Sequence, residues 1–312
     1  MLLHPAFLVF LCTFVPMKRE LSILIPAYNH ACNALVEELC EQASHLDISF
    51  EVVVAEDGST DEEALKANAR IARWPNCRYL LRQQNVGRAR IRNFLAHQSR
   101  YEWLLFLDCD MSIPSARFVK NYIESDVADV AYGGYIVGTG ETSNLRYRYE
   151  KACEPMHRAE IRAQRPYMHF HTCNFLVRRD LMLSHPFDER FQAYGYEDVL
   201  FGKQLRKAGI TIDHLDNPAG FFDFEDNAAF VSKTEEGLRT LHAFRADLRG
   251  YSQLLTFVDG IHLGIVRWLI RLWHRLFGGL ERRILCSKRP SLRVFSLYRL
   301  GFFLEIRDID KR

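Results

Sequence analysis

The sequence has no CxxC pair, little net charge and no apolar run long enough to cross a bilayer comfortably, and each absence narrows the classes of protein. Eight cysteines lie scattered without paired spacing, which argues against a disulfide framework or a zinc site and indicates reduced thiols in a cytosolic protein. A net charge of +2 gives no sign of a nucleic-acid partner. With 48% hydrophobic and 26% charged residues, the composition is that of an ordinary globular protein.

The length of 312 residues suits one large domain or two small ones. Residues 1–18 are mostly apolar but lack a basic n-region and a small-residue cleavage site, so we interpret them as a leader or an over-extended start. Residues 19–225 alternate predicted strands and helices. Residues 226–312 form a helical, basic and amphipathic C-terminal region.

The chain is organised around the stretch from Trp103 to Leu107, which runs directly into Asp108-Cys109-Asp110. An apolar run of this kind predicts a buried strand of a parallel sheet. Side chains at i and i+2 of an extended segment point the same way. Two such carboxylates at a strand end suit Mg²⁺ or Mn²⁺, with open positions for phosphate oxygens. The alternative is a surface turn that happens to be acidic.

Strands and helices alternate along the first hundred residues of this region. Apolar runs predict strands over residues 21–26, 51–56, 78–81 and 103–107, and helical patterns lie between them over residues 33–45, 59–74 and 87–98. Ser59 and Glu62 have the spacing of a capping box at the start of the second helix. The pattern predicts an α/β fold with a doubly wound, mostly parallel sheet of nucleotide-binding type.

Three strand ends are expected to meet at one edge of this sheet. They carry Tyr28 and Asn29, Asp57, and the pair Asp108 and Asp110. An aromatic ring, an acceptor carboxylate and a pair of metal-binding acids would suit a base, a base or ribose donor, and a diphosphate. Ligands of open α/β sheets bind at the carboxyl ends of the strands.

Two further segments carry charged or titratable side chains. Gly195 permits a tight turn into a helix whose first turn holds Glu197 and Asp198. Acids in a first turn are favoured by the helix dipole, but adjacent acids in an aromatic pocket also suit a general base. His169 and His171 flank a predicted strand, and we interpret them as structural. The basic stretch 141–171 is interpreted as a solvated face, with an anionic acceptor as the alternative.

The C-terminal region contains an amphipathic helical pattern over residues 261–280. Arg267, Arg271 and Arg275 form one stripe, and apolar residues that include two tryptophans cover the rest. More cations and aromatic residues follow as far as residue 303. This mixture suits peripheral contact of residues 261–303 with an anionic membrane surface. Helices packed back on the catalytic domain are the alternative.

Five segments together resemble a family 2 glycosyltransferase of the GT-A fold, in order and at sensible spacings across residues 20–225. They are Ile25-Pro26-Ala27-Tyr28-Asn29, Glu56-Asp57-Gly58-Ser59-Thr60-Asp61, Asn85-Val86-Gly87 with Arg92-Asn93, Asp108-Cys109-Asp110, and Tyr194-Gly195-Tyr196-Glu197-Asp198. The last also resembles the "ED" segment of galactosyl- and N-acetylgalactosaminyl-transferases. The resemblance implies transfer of a sugar from a nucleotide-sugar, usually a UDP-sugar, to a glycan or lipid-linked acceptor.

The resemblance also implies roles for individual residues. Asp198 would be the general base, Glu197 would bind sugar or acceptor hydroxyls, and Asp110 with Asp108 would meet a Mn²⁺ or Mg²⁺ ion and the diphosphate. Tyr28 and Asp57 would hold the nucleobase. The nucleotide-sugar site as a whole would comprise Pro26, Ala27, Tyr28, Asn29, Asp57, Gly87, Arg92 and Asp108. On the same helix as Arg92, Arg88 is expected to be solvated.

One departure concerns the metal. Relatives often carry a histidine ligand shortly after an Asn-Pro like Asn217-Pro218, where this chain has Phe221 and Phe222. Either His214 substitutes, or the aspartates, phosphates and water hold the metal alone.

The resemblance implies an inverting mechanism with a single carboxylate base. The protein would be cytoplasmic and could adjoin the inner face of the cell membrane. Two rivals remain at this point. One is a catalytically silent nucleotide-sugar binder or scaffold on a membrane. The other is a phosphatase of the haloacid dehalogenase type, because the segment Leu105–Ser112 resembles that family's nucleophile loop.

Overall fold

The computed structural model describes residues 18–306, which form ten strands and thirteen α-helices. The strands are β1 Glu20–Ala27, β2 Ser49–Asp57, β3 Cys77–Arg82, β4 Trp103–Leu107, β5 Met111–Ser112, β6 Val130–Tyr132, β7 Tyr135–Val137, β8 Asn174–Arg178, β9 Ile212–His214 and β10 Ala219–Phe221. The helices are α1 Asn33–Ser44, α2 Glu62–Asn68, α3 Arg88–Gln98, α4 Phe118–Glu124, α5 Leu145–Cys153, α6 Ala159–Arg162, α7 Arg179–Ser184, α8 Glu197–Lys207, α9 Asn227–Ala243, α10 Arg245–Leu248, α11 Gln253–Gly260, α12 Gly264–Leu285 and α13 Leu292–Glu305. Two 3₁₀ segments follow α2 and α5, at Ala69–Arg73 and Glu154–His157.

The central sheet has seven strands in the order β3-β2-β1-β4-β8-β6-β9, and β5, β10 and β7 form a second, smaller sheet. Strands β3, β2, β1 and β4 are parallel, with Ile23 of β1 opposite Val52 on one side and Leu105 on the other. Only β8 runs against its neighbours β4 and β6 within this sheet. The doubly wound, mostly parallel sheet predicted from the sequence is therefore confirmed.

The central strands are mostly apolar because helices cover both faces of the sheet. Every residue of β4 is buried, and β1 and β2 are buried over nearly all of theirs. Helices such as α1 and α3 pack on the sheet through rows of buried side chains, among them Val36, Leu39 and Leu95. This rigid core holds the loops at the carboxyl ends of the strands.

Most predicted boundaries agree with the structure to within a few residues, but the prediction of a capping box at Ser59 and Glu62 is wrong. Asp61 caps α2 instead, and its carboxylate accepts hydrogen bonds from the backbone N–H groups of Glu63 and Ala64. The hydroxyl of Ser59 donates to the buried carboxylate of Glu56. Ser59 is thus part of the loop that follows β2.

The C-terminal region is helical, as predicted. Helices α12 and α13 pack against each other and against α9. A small apolar cluster lies beneath them, formed by Leu145, Phe230, Val231, Leu285, Phe295 and Tyr298. Residues 1–17 of the predicted leader lie outside the described part of the chain. The seven described cysteines are unpaired, with the sulfurs of Cys40 and Cys77 3.3 Å apart.

Truncation of a β4 side chain tests the importance of this core. We expect Leu105→Ala to lower the free energy of unfolding by ~2–5 kcal/mol, because Leu105 is fully buried and a cavity would remain. Leu81→Ala on β3 is the matched control, since that side chain is 57% exposed and its loss should cost about 0.5 kcal/mol or less. Urea unfolding followed by circular dichroism measures both, and equal effects would contradict the described burial.

Candidate active site

The candidate site lies at the carboxyl ends of β1, β2 and β4. Because β1 sits between β2 and β4, the strand order reverses direction beside it, and such switch points leave a crevice for ligands. Tyr28 follows β1 with half of its surface exposed, Asp57 ends β2, and Asp108 follows β4. The structure therefore brings these three predicted site residues to one edge, as the sequence indicated.

The loop after β1 is fastened to the loop after β2 by Asn29. This residue has the left-handed φ of 50°, a conformation that asparagine tolerates better than most residues. Its side-chain oxygen accepts hydrogen bonds from the backbone N–H groups of Thr60 and Asp61, and its own N–H donates to the hydroxyl of Ser59. Pro26 and Ala27 end β1 just before this loop, so all of them shape the crevice wall.

The carboxylate of Asp57 is held by the start of α3. Its two oxygens accept hydrogen bonds from the backbone N–H groups of Val86 and Gly87 at 2.9 and 3.0 Å. Burial raises the pKa of Asp57, while these two hydrogen bonds lower it less. Gly87 has φ 87°, and a β-carbon there would lie 2.7 Å from the carbonyl oxygen of Gln192, so only glycine fits.

Arg92 joins β4 to the first turn of α8. Its side chain is 1% exposed. One guanidinium nitrogen, Nη2, lies 2.6 Å from Oδ1 of Asp108, and Nη1 lies 3.3 Å from Oε1 of Glu197. Two acids that are far apart in sequence thus share a single buried cation, which neutralises part of their charge.

The entry to α8 is tightly bent. Gly195 and Tyr196 both have left-handed φ values, of 94° and 70°, immediately before Glu197. For tyrosine this conformation costs on the order of 1–2 kcal/mol. Strain of this kind is typical of functional sites that the surrounding fold holds in place. Here the neighbouring residue Tyr194 is fixed by α9, whose Glu236 accepts its N–H and whose Thr240 donates to its carbonyl.

Asp198 is oriented by two donors. Its Oδ1 accepts the backbone N–H of Val199 at 2.8 Å, and its Oδ2 lies 3.1 Å from Nδ1 of His171. A carboxylate can only accept, so Nδ1 of His171 carries the proton. Burial by itself would raise the pKa of Asp198, but the His171 hydrogen bond and charge hold it below its usual range.

The sequence predicts only a structural role for His171 and does not indicate its contact with Asp198. Its ring packs edge-on against Tyr132, Tyr135 and His157. The pairing with Asp198 spans 27 residues and a change of element. No local spacing in the sequence signals such a contact.

Asp110 and Arg88 are two further charged residues near Asp108. Burial and the nearby Asp108 carboxylate raise the pKa of Asp110. Arg88 was expected to be solvated, but its guanidinium lies 3.8 Å from Asp108 and 4.9 Å from the centre of the Tyr194 ring. The ammonium group of Lys233, on α9, lies 5.2 Å from the centre of the same tyrosine ring. Nothing in the sequence indicates that Lys233 lies near the site.

The arrangement around Asp108 and Asp110 fits a cation bound in part by the protein. No hydrogen bond to the Asp110 carboxylate forms within residues 18–306, so its oxygens are available. In the same residues, no group of three or more His, Cys, Asp or Glu side chains forms a metal cage. Two hard carboxylate ligands with open positions are what a phosphate-bound Mg²⁺ or Mn²⁺ requires.

His214, the alternative metal ligand, has both ring nitrogens engaged. Nδ1 is 2.9 Å from a guanidinium nitrogen of Arg162, and Nε2 is 3.0 Å from the carbonyl oxygen of Pro166. Burial and the Arg162 charge lower the pKa of His214 to about 4. Phe221 and Phe222, which follow Asn217-Pro218, have no side-chain atom that can bind a metal.

Comparisons with known proteins show the family of the chain. A family model described as Glycosyl transferase family 2 matches residues 22–184, just over half of the chain. A chondroitin synthase of Escherichia coli is 34% identical over 110 residues, which cover 33% of this chain and only 15% of that protein. The chain thus spans a small part of the length of this curated relative.

Two solved structures share the fold. A Pyrobaculum calidifontis mannosyltransferase in complex with GDP-Man and Mn²⁺ has a TM-score of 0.54 at 13% identity, covering 93% of this chain and 86% of that one. S. aureus TarS 1-349 in complex with UDP-GlcNAc has a TM-score of 0.50 at 16% identity, covering 91% and 89%.

Removing the Arg92 guanidinium, which Asp108 and Glu197 share, should destabilise the site and the fold. We expect Arg92→Met to lower the free energy of unfolding by ~3–5 kcal/mol, because Glu197 would remain buried without a partner. Arg88→Met on the same helix is the matched control. Its side chain is 43% exposed, so the loss should be about 0–1 kcal/mol. Urea unfolding distinguishes the two, and equal losses would show that the Arg92 link is not structural.

Proposed function

This chain belongs to glycosyl transferase family 2, and we propose that it moves a sugar from a UDP-sugar donor to a hydroxyl of a glycan or lipid-linked acceptor. It is a glycosyltransferase with a GT-A type α/β fold and a helical C-terminal region. The observation that carries the proposal is that Arg92 joins Asp108, two residues before Asp110, to Glu197, the residue before Asp198. Such a reaction needs carboxylates that bind a metal and a carboxylate that acts as the general base in the same site.

The donor would lie across the carboxyl ends of β1, β2 and β4. Tyr28 offers an exposed ring on which a base can stack, and Asp57 lies at the neighbouring strand end with lone pairs left for a base or ribose. Pro26, Ala27, Asn29 and Gly87 would shape the wall of this pocket. A relative in complex with UDP-GlcNAc supports a UDP-sugar as the donor class.

Asp108 and Asp110 would hold a divalent cation, Mn²⁺ or Mg²⁺, without His214. When bound, the cation would supply positive charge beside the diphosphate that leaves. Arg92 neutralises one oxygen of Asp108 and keeps the carboxylate at the strand end. Arg88, within 4 Å of the same acid, would add a second positive charge beside the diphosphate.

Asp198 would act as the general base. It accepts the proton of an acceptor hydroxyl as that oxygen bonds to the anomeric carbon and the bond from this carbon to the diphosphate oxygen breaks. The pKa below the usual range keeps Asp198 ionised and ready to accept. A single base with no covalent sugar intermediate gives inversion, from an α-linked donor to a β-linked product. Glu197, held by Arg92, would bind a hydroxyl of the sugar or acceptor.

The two rivals can be weighed against these residues. Family membership argues against the dehalogenase-type phosphatase, and β4 is not the first strand of the domain as that nucleophile loop would require. A silent nucleotide-sugar binder would not need a base oriented by two donors, as Asp198 is. We also infer a cytoplasmic site at the inner face of the membrane, with peripheral contact through residues 261–303 where the acceptor is lipid-linked.

Release of UDP from a panel of UDP-sugars tests the proposal. We expect metal-dependent release with Mn²⁺ that EDTA abolishes, and Asp198→Asn should lower turnover at least ~10²-fold because the base is lost. Asp180→Asn is the matched control, since that acid also lies in a first helical turn but is exposed and remote. Donor binding without release in the wild type would favour the silent binder.

The pH dependence of kcat/KM tests the role of His171. In His171→Ala the acidic limb should move to higher pH, because the pKa of Asp198 rises once the hydrogen bond is lost and burial remains. His171→Asn keeps a donor near the position of Nδ1 and should retain much of the wild-type limb. If kcat/KM falls equally in both variants and the acidic limb of the pH profile does not move, His171 has only a packing role.

A further inference from the structure

Helix α12 lies on the protein with its apolar side facing outward. The side that packs on the protein carries His274, Gly278, Glu281 and Leu285, where His274 and Glu281 pair at 3.3 Å. The opposite side carries nine large apolar residues that are 36–66% exposed: Ile265, Val266, Trp268, Leu269, Leu272, Trp273, Leu276, Phe277 and Leu280. At ~100° per residue they cover about 180° of the helix surface. Phe257 of α11 and Leu263, which precede α12 in the chain, are also exposed.

The arginine stripe does not lie on this outward face. Arg267 donates to the carbonyl of Val258, Arg271 to the carbonyl of Leu304, and Arg275 to the carboxylate of Glu305. The first two hydrogen bonds lie near the C-terminal ends of α11 and α13, where cations are favoured. The stripe therefore holds the helices together, in contrast to the predicted contact of these arginines with a membrane.

Other cations follow the outward face along the chain. Arg283 lies in the last turn of α12, and Lys288, Arg289 and Arg293 come after it, all of them exposed. None of them pairs with an acid among residues 18–306. The one acid of α12, Glu281, is buried. The outward face is thus apolar and the segment that follows it is basic, which complements an anionic lipid surface and disfavours a second copy of the same surface.

Aromatic side chains occupy the two lateral edges of the outward face. At ~100° per residue, Trp268 lies at one end of the apolar arc and Phe277 at the other, with Trp273 about 40° inside that second edge. Tryptophan is enriched at the level of lipid headgroups, where an amphipathic ring meets both water and acyl chains. A helix lying parallel to a bilayer would place its edges at that level.

No helix within the described residues has the length and apolar character to cross a bilayer. We propose that the outward face of α12 is a membrane-docking surface that inserts into one anionic leaflet, with α12 parallel to the membrane plane and the cations of residues 283–293 on the headgroups. The occupant is phospholipid. This inference deepens the proposed membrane contact by naming the face that makes it, and it does not depend on the sugar chemistry.

Co-sedimentation of the full chain with vesicles tests the surface. We expect binding to phosphatidylglycerol-containing vesicles, weaker binding to phosphatidylcholine alone, and loss at high salt. Leu272→Glu with Leu276→Glu should weaken binding by at least about tenfold, since two apolar anchors are replaced by anions. Arg283→Glu with Arg289→Glu should weaken binding to the anionic vesicles only. Leu81→Glu, an exposed leucine on β3, should bind like the wild type.

Three further readouts make the outcome decisive. Unchanged thermal unfolding shows that the variants fold, and unchanged UDP release from the donor shows that the site is intact. Failure of UDP release in the wild type would therefore count against the proposed function and not against docking. Light scattering identifies a second copy as the occupant if the wild type dimerises and Leu272→Glu with Leu276→Glu does not. That result, or equal vesicle binding by all variants, would overturn the proposal.

Discussion

The site depends on one buried guanidinium. Arg92 leaves water almost completely, so its charge must be balanced inside the protein, and it contacts an acid from each side of the crevice. Asp108 belongs to the strand end and Glu197 to the helix entry, and neither half of the site would hold its geometry without the other. Because Arg92 lies on α3, the position of that helix on the sheet sets the distance between the two acids.

Close backbone approaches support this arrangement. Gly87 lets α3 begin against the segment that leads to α8, and Asp57 fixes the same turn through two backbone N–H groups. At the far side, α9 fixes Tyr194 just before the strained residue Tyr196. The acids are therefore positioned by loops that the rest of the fold holds tightly, which favours a preorganised site.

The fold could be predicted largely from local signals, because apolar strands and helical periodicity depend on neighbouring residues. Helix α8 begins at Glu197 as expected, and Asp108 and Asp110 lie at their strand end. The pairing of His171 with Asp198 could not be predicted, since it depends on how β8 and α8 pack. The predicted helix cap at Ser59 is wrong for a similar reason. The Ser59 hydroxyl donates to Glu56 and accepts the backbone N–H of Asn29, which lies in another loop.

Helix α9 connects the crevice with the C-terminal helices. Glu235 accepts hydrogen bonds from Arg282 of α12 and Tyr298 of α13, while the adjacent residue Glu236 accepts the N–H of Tyr194. Two successive side chains of one helix thus face opposite parts of the molecule. The C-terminal helices are consequently not an interchangeable appendage, and exchanging them between relatives would require α9 to be exchanged with them.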